Sequence, residues 1–239
     1  MIISHSRQFT FVHIHKAGGT SVERALDPDL AWNDLILGGS PLGERIQAPY
    51  SKRFGLNKHS AVADIEAVCG NRFIEEYYLF ALVRHPVARL CSIYNFVATT
   101  LNNWAVRHDI PLSGVAERIT PQAEKKTPSL KWISSRVFLR TDSFSEFIRQ
   151  EKLKTAPGFR SQVSTLCGAD GNMKGHTFRL EDYPAWEAPL GKHLGLKLEL
   201  PHANRSGLRL VEADAVSADD RAFIRENFRV DYDAFGYDP

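Results

Sequence analysis

The segment HIHKAGGTS, which begins at residue 13, combines residue types that bind anions. It places Lys16 before the pair Gly18 and Gly19, and two hydroxyl residues, Thr20 and Ser21, follow directly. Successive backbone N–H groups in a glycine-rich turn, followed by the N-terminus of a helix, form a concave donor site for phosphate or sulfate. The lysine would add a full positive charge and the hydroxyls further donors. The alternative is an ordinary turn at the glycines beside a solvated lysine.

The order of these residues differs from the nucleotide-binding Walker motif, G-x-x-x-x-G-K-[ST]. Lys16 precedes the glycines, so the hydroxyl residue that follows the Walker lysine and binds magnesium is not in its expected place. His13 and His15 would share one face of a strand, but no third ligand for a metal is evident, nor is an acidic cluster with metal-ligand spacing. The sequence therefore predicts no metal site and favours a group transfer that needs no metal.

A second segment, FALVRHPVARLCS, begins at residue 80 and repeats the arrangement of an apolar run that ends on a polar residue. Arg84 ends the run, and Ser92 lies two turns into the helix predicted to start at Pro86. Ligands of open α/β sheets bind at the carboxyl ends of strands, so Arg84 and Ser92 are candidates for holding a second phosphate. The alternative is that Arg84 pairs with a carboxylate and Ser92 is a surface residue.

Short apolar runs alternate with helical patterns along the chain. Strands are predicted over 9–14, 77–83 and 177–180. One helix is predicted after each of the two anion-binding segments, and another over 183–194. Two more helices are predicted to begin at the capping residues Ser143 and Ser217. In the helix after Pro86 an apolar stripe alternates with a polar face that carries Arg89, Ser92 and Asn95. This alternation predicts an α/β fold with a central parallel sheet flanked by helices.

Composition limits the classes of function. The 239 residues carry 30 Lys and Arg against 28 Asp and Glu, a net charge of +2, so no global field favours nucleic acid and no nucleic-acid partner is expected. The hydrophobic fraction of 43% is enough for a packed core. We expect one domain over 1–239, with a mainly helical, less regular region at about 101–175 as the place for an acceptor or a lid.

The cysteines and the apolar runs bear on location. Cys69, Cys91 and Cys167 are odd in number and widely spaced, which fits reduced thiols better than a disulfide framework. The first residues lack the apolar core of a signal peptide, and no stretch approaches the ~18 apolar residues of a membrane helix. The expectation is a cytoplasmic protein without a transmembrane segment.

Together the two anion-binding segments resemble the sulfotransferases, specifically the carbohydrate sulfotransferase branch and its bacterial relatives. FVHIHKAGGTS resembles that family's 5′-phosphosulfate loop, commonly His-Ile-Pro-Lys-Thr-Gly-Gly-Thr-Ser, and FALVRHPVARLCSIYNF resembles its 3′-phosphate motif, an arginine eight residues before a serine. Four more segments are similar in the same order: NKHSAVADI to a histidine-bearing segment, FRLEDY to the third core strand, LPHANRS to a later loop and DYDAFGY to a C-terminal signature. The resemblance runs from about residue 9 to 237 and is weakest in the middle.

The resemblance implies a P-loop-like domain, the donor 3′-phosphoadenosine 5′-phosphosulfate and the product 3′-phosphoadenosine 5′-phosphate, with no metal. It implies that the sulfuryl group passes to a hydroxyl or an amine. The donor-binding residues that it implies are Lys16, Ala17, Gly18, Gly19, Thr20, Ser21, Arg84 and Ser92, with Arg205 as a further candidate for a phosphate contact. Two residues depart from the loop pattern: His15 replaces the proline, and Ala17 replaces the threonine but keeps its backbone N–H.

Two residues are predicted to be catalytic. Lys16 would neutralise charge on the bridging oxygen as the nucleotide leaves. His59 lies in the histidine-bearing segment, and an imidazole with a pKa near 6.5 suits the removal of the acceptor's proton. The alternatives are an exposed histidine beside Lys58 and a carboxylate base from the middle region.

Two other functions stay open on the sequence alone. An ATP-dependent P-loop phosphotransferase would need magnesium, and a non-catalytic module would keep only the nucleotide pocket. The acceptor is not determined: a glycan, a lipid precursor and a small metabolite all fit, because the residues that select it fall in the weakly matched middle. The oligomeric state is not determined either.

Overall fold

The structure is a computed structural model that describes residues 1–183, 185–200 and 207–238. Its sheet contains five strands in the order β3-β1-β2-β4-β5. The strands are β1 (Ile2–Ser4), β2 (Phe9–Val12), β3 (Leu35–Ile36), β4 (Tyr78–Val83) and β5 (His176–Arg179). The pairs β2/β4 and β4/β5 are parallel, whereas β1 runs antiparallel to both β2 and β3.

The prediction of a parallel sheet was therefore wrong for two of the five strands, although the α/β class and the flanking helices are confirmed. Only residues 5–8 separate β1 from β2. Four residues close a hairpin but are too few for the crossover that a parallel pair needs, so β1 must run antiparallel. Both missed strands are two or three residues long, which is too short to show a period in the sequence.

Thirteen α-helices and six short 3₁₀ segments accompany the sheet in the described part of the chain. The helices are α1 (Gly19–Leu26), α2 (Pro41–Phe54), α3 (Val62–Cys69), α4 (Arg72–Glu75), α5 (Pro86–Arg107), α6 (Val115–Arg118), α7 (Pro121–Lys126), α8 (Ile133–Phe138), α9 (Phe144–Ile148), α10 (Gln162–Leu166), α11 (Glu187–Leu194), α12 (Ala218–Asn227) and α13 (Arg229–Phe235). The 3₁₀ segments are Asp27–Asp29, Leu112–Gly114, Pro128–Lys131, Glu151–Thr155, Pro157–Phe159 and Leu180–Asp182.

The chain divides into two compact units. The first comprises Met1–His85, Ser161–Asn204 and Val230–Pro239, and the second comprises Pro86–Arg160 and Arg205–Arg229. The predictions of a single domain and of an acceptor or lid region at 101–175 stay predictions.

The first unit is built on the sheet. Apolar side chains of its strands and of two helices, α1 and α11, form one buried cluster, because these elements turn an apolar face toward each other. The members that bury most completely are Ile2, Phe9, Phe11, Val22, Leu26, Phe80, Leu82 and Leu190. This cluster fixes helix α1 against strand β2, and therefore also fixes the loop that joins them.

The second unit packs around α5. The predicted apolar stripe of this helix is buried, and Tyr94 lies edge-on or tilted against the rings of Phe138, Phe144 and Phe147. Arg89 and Asn95, which the sequence places on the polar face of this helix, are buried as well.

Each of these two buried polar side chains of α5 binds backbone groups. The Arg89 guanidinium donates to the carbonyls of Gly158 and Arg160, at 3.2 and 2.7 Å. The Asn95 amide bonds to the backbone of Leu210 and Val211. Hydrogen bonds to the backbone offset much of the cost of desolvating these groups, so a polar helix position can face the interior.

The boundaries of strand β2 and helix α11 differ from the predicted ones. Strand β2 ends at Val12 rather than residue 14, because the carbonyl of His13 accepts a bond from the His59 ring and that of Ile14 accepts one from the N–H of Ala17. Helix α11 begins at Glu187 rather than residue 183, because Leu180–Asp182 forms a 3₁₀ turn first. The caps predicted at Ser143 and Ser217 are confirmed, each hydroxyl accepting from the N–H three residues on.

Candidate functional site

The loop between β2 and α1, residues 13–18, reverses direction through two left-handed residues. Lys16 has φ 61° and Gly18, which caps helix α1, has φ 86°. Left-handed residues in such a turn point successive N–H groups toward one side, which forms an anion-binding concavity. The loop closes with a bond from the N–H of Ser21 to the carbonyl of Gly18, at 3.0 Å.

Gly18, in this loop, and Gly19, at the start of α1, are both required by their neighbours. A Cβ on Gly19 would lie 2.4 Å from Cδ2 of His13, and one on Gly18 would lie 2.9 Å from a methyl of Leu180. Gly19 therefore lets the first turn of α1 approach the end of β2, and Gly18 supplies the left-handed cap. The interpretation as an ordinary surface turn does not account for this packing.

Lys16 lies among other cations. Burial and the nearby charges of Arg84 and Lys58 lower the pKa of its ammonium to about 8. The Arg84 guanidinium donates to the backbone carbonyl of Lys16 at 3.3 Å, which ties the two cationic residues together. Convergence of cationic groups in a partly buried loop indicates an anionic ligand, since such a ligand would relieve their mutual repulsion.

The sheet brings these groups together. Strands β2, β4 and β5 are parallel and in register, so their carboxyl ends lie at one edge of the sheet. The Lys16 loop follows β2, Arg84 follows β4, and Leu180 follows β5. This edge is where open α/β sheets bind ligands.

Behind the loop, the carboxylate of Glu23 on α1 is fully buried. Its Oε1 accepts from the amino group of Met1 at 2.5 Å and from Nδ1 of His13 at 2.7 Å, and its Oε2 lies 3.5 Å from Nζ of Lys58. Lys58 also lies 3.6 Å from the Glu44 carboxylate. A buried carboxylate is stable only with such partners, so the network joins helix α1, the end of β2 and the segment that carries His59.

His59 is held against the loop. Its Nδ1 lies 2.9 Å from the carbonyl oxygen of His13, and because a carbonyl can only accept, Nδ1 carries the proton. The ring stacks on His15, with centroids 3.6 Å apart. Burial, followed by the charges of His13 and His15, lowers the pKa of His59 well below its usual value. At neutral pH the ring is therefore neutral, with Nε2 as its basic nitrogen.

Arg84 is positioned through its backbone by a residue from another part of the chain. The side-chain oxygen of Gln162 accepts from the N–H of Arg84 at 2.9 Å, and its amide nitrogen donates to the carbonyl of Arg84 at 2.8 Å. Gln162 is held in turn by the buried Asp231 carboxylate of α13, which accepts from the N–H groups of Gln162 and Val163 at 3.0 and 3.1 Å.

A second anchor from the C-terminal segment lies beside the first. Glu181 accepts from the N–H of His85 at 2.9 Å and from the hydroxyl of Tyr237 at 3.1 Å. The Arg179 guanidinium donates to the carbonyls of Phe235 and Gly236 and lies 5.0 Å from the Tyr237 ring centre. The segment DYDAFGY thus fixes both residues that follow strand β4.

The predicted site residues fall into three groups. The structure brings together Lys16, Ala17, Gly18, Gly19, Thr20, Ser21, Arg84 and His59 in the first unit. Ser92 lies on α5 in the second unit, half-buried. Arg205 lies outside the described residues.

Sequence reasoning missed the residues that support the site. Glu23, Gln162 and Asp231 bind other protein groups from a distance in sequence, so no local spacing marks them. Asp231 and Tyr237 do lie in the DYDAFGY segment that the resemblance singled out, although without a role. Gln162 carries no signal in the sequence.

Two further properties of the described residues concern metals and membranes. Within residues 1–183, 185–200 and 207–238, His, Cys, Asp and Glu side chains form no group that could hold a metal ion. In the same part of the chain, no helix combines the length and the apolar character needed to cross a membrane.

We expect Gly19→Ala to destabilise the protein, although glycine to alanine usually stabilises a helix by ~0.5–1 kcal/mol. The new methyl would overlap the buried His13 ring, which Glu23 holds in place, so unfolding in urea should show a loss of ~1–3 kcal/mol. The control is Gly114→Ala, whose methyl would meet nothing closer than 3.7 Å; its effect should stay within ~0.5 kcal/mol. A Gly19→Ala protein as stable as the parent would contradict the packing described for the loop.

Comparison with known proteins identifies the family. The model of the sulfotransferase family matches residues 1–238, nearly the whole chain. No curated protein and no solved structure matches it. With a lysine-glycine loop and an arginine at one edge of an α/β sheet, and a family match from end to end, the chain belongs to the sulfotransferase family.

Proposed function

We propose that the protein transfers a sulfuryl group from 3′-phosphoadenosine 5′-phosphosulfate to a hydroxyl or amine of an acceptor by in-line displacement. One observation carries the proposal: Lys16 and Arg84 lie at the same edge of the sheet, where the Arg84 guanidinium donates a hydrogen bond to the backbone carbonyl of Lys16 at 3.3 Å. The family supports sulfuryl transfer in general, and the identity of the donor is our inference.

The loop is suited to the 5′ end of this donor. We assign a P-loop-like role to residues 16–21: the backbone N–H groups bind the 5′-phosphate, and the hydroxyls of Thr20 and Ser21 add donors. Lys16 supplies the charge that stabilises the bridging oxygen as the bond to sulfur breaks. A lysine with its pKa lowered to about 8 is still largely protonated at neutral pH, and the bound anion would raise that pKa.

Arg84 is suited to the 3′-phosphate, the group that distinguishes this donor from ATP. A guanidinium can bind two phosphate oxygens at once, and its value as a clamp depends on a fixed backbone. The bonds from Gln162 to both the N–H and the carbonyl of Arg84 supply that fixity. The participation of Ser92 and Arg205 remains a prediction from the sequence motif.

His59 is suited to the role of general base. The proton on Nδ1 is committed to the carbonyl of His13, so Nε2 takes the proton of the acceptor as its oxygen or nitrogen bonds to sulfur. The bond from sulfur to the 5′-phosphate oxygen then breaks, and 3′-phosphoadenosine 5′-phosphate leaves. The role requires a neutral imidazole, which the lowered pKa supports.

The acceptor and the location are less constrained. A glycan, a lipid precursor or a small metabolite fits the proposal, with the family resemblance favouring a sugar-bearing molecule. We propose a cytoplasmic location because Cys69, Cys91 and Cys167 are odd in number and widely spaced, which fits reduced thiols.

The donor is tested by thermal unfolding with 3′-phosphoadenosine 5′-phosphate, with ATP and magnesium, and with neither. A ligand at 100 times its Kd adds about 2.7 kcal/mol, so we expect the bisphosphate to raise Tm by several degrees, at ~2–4 °C per kcal/mol. A rise with ATP and magnesium alone would overturn the donor assignment in favour of a phosphotransferase.

Lys16→Ala should abolish transfer while the protein stays folded. Lys52→Ala, which changes an exposed lysine of α2, should leave transfer intact.

A non-catalytic module is separated from an enzyme by turnover. The parent protein should convert labelled donor to the bisphosphate in the presence of acceptors, and binding without any turnover over an acceptor panel would favour the module.

We expect Gln162→Leu to weaken recognition of the 3′-phosphate without removing a charged contact. Loss of both bonds to the Arg84 backbone should raise the Kd of 3′-phosphoadenosine 5′-phosphate about tenfold, a cost of ~1.4 kcal/mol. Adenosine 5′-phosphate, which has a 3′-hydroxyl, should bind almost as before. Calorimetric titration measures both. Gln122→Leu, at an exposed position of α7, is the matched control, and equal losses for the two nucleotides would contradict the clamp.

We expect the acid limb of the pH profile of kcat/KM to lie below pH 6.5. Burial lowers the pKa of His59, so the neutral base persists as the pH falls and is lost only when the pH approaches that lowered pKa. His59→Ala should reduce kcat by ~10²–10⁴ and remove the limb, and His108→Ala, an exposed histidine of the second unit, should do neither. A limb centred above pH 6.5, or a His59→Ala enzyme with most of its kcat, would require another base.

A further inference from the structure

The imidazoles of His15 and His59 form a face-to-face pair beside the Lys16 loop. Their centroids are 3.6 Å apart and their planes differ by 22°. His13 presents its ring to His59 from another side, with centroids 4.6 Å apart and planes at 75°. His15 stands where the related sulfotransferase loop has a proline, and sequence analysis assigns it no role.

The backbone of His59 is firmly held, but its ring is held mainly by other histidines. The N–H of His59 donates to Oδ1 of Asn57 at 2.8 Å, and the N–H of Lys58 donates to the side chain of Gln47 at 2.8 Å. Within the described residues, the ring has one hydrogen bond, from Nδ1 to the carbonyl of His13. A single bond at Nδ1 does not define the tilt of the ring, so its plane depends on the edge contact with His13 and on the face of His15, which stacks on it.

The charge of His15 also lowers the pKa of His59. The groups that face His59 are His13 at the end of β2, His15 in the loop and, at longer range, the amino group of Met1. Lys58 precedes it in the chain, and the carboxylates of Glu23 and Glu44 lie beside the Lys58 ammonium.

In the described part of the chain, the aromatic contacts of the His59 ring are the imidazoles of His13 and His15. Two imidazolium rings in contact repel each other, so the pair should take up its protons in separate steps that belong to both rings.

We propose that His15 is a positioning residue for the His59 base: its stacked ring fixes the plane of the His59 imidazole, and a proton on either ring disfavours a proton on the other. The proposal rests on the proposed function for its catalytic consequence, but its physical content, a coupled pair, does not. In this chain a side-chain stack would thus replace the backbone rigidity that a proline provides.

Three variants separate stacking from titration. His15→Phe keeps an aromatic face and removes the titrating nitrogens, whereas His15→Ala and His15→Pro remove both. At pH 8, well above the ordinary imidazole pKa of about 6.5, we expect kcat to stay within about twofold in His15→Phe and to fall about tenfold in His15→Ala and His15→Pro, with little change in KM for the donor. All three should move the acid limb of kcat/KM to higher pH, because the competing imidazole is gone.

A direct measurement does not depend on turnover. The ring protons of His59, assigned with His59→Ala, report its titration by NMR, and the midpoint should rise in His15→Phe relative to the parent. His5→Ala is the matched control, since His5 packs on Phe73 and Tyr77 instead. An unmoved midpoint in His15→Phe, or equal loss of kcat in His15→Phe and His15→Ala, would overturn the proposal. A raised midpoint in a protein that shows no sulfuryl transfer would confirm the coupled pair and reject the proposed function instead.

Discussion

The buried carboxylate of Glu23 is the constraint on which the site depends. An ionised group without access to water must be surrounded by partners of opposite charge or by hydrogen-bond donors. In this protein the partners come from three places: the amino group of Met1, Nδ1 of His13 and the ammonium of Lys58. Satisfying one carboxylate therefore brings the end of β2, helix α1 and the segment of His59 into a single arrangement.

The same constraint explains the glycine at position 19. His13 can reach Glu23 only by lying across the first turn of α1, where a Cβ on Gly19 would overlap its ring. The loop is consequently a place where helix and strand approach unusually closely, and the N–H groups at the helix start are held toward the same edge as Lys16. A flexible glycine turn would not hold them so, because glycine alone leaves many conformations open.

The backbone of Arg84 is held in place through residues near the C-terminal end of the sequence. The buried Asp231 fixes Gln162, and the Gln162 side chain hydrogen-bonds to both the N–H and the carbonyl of Arg84. Glu181 and Tyr237 repeat this arrangement at His85. The C-terminal segment thus acts as a support for the residues that follow β4, which gives a physical role to a stretch that carries none of the proposed chemistry itself.

The amino-acid sequence by itself determined the α/β class, the strand-loop-helix unit around Lys16, the strand that ends at Arg84 and membership in the sulfotransferase family, because these depend on local composition, spacing and ordered motifs. It did not determine the antiparallel strands β1 and β3, which are too short to show a period, nor the burial of Arg89 and Asn95, whose partners lie far along the chain. Only the tertiary structure decided that Glu23, Gln162 and Asp231 support the site and that His15 stacks on His59. Those relations join residues that are distant in sequence, and a linear pattern carries no information about which buried polar groups will satisfy one another.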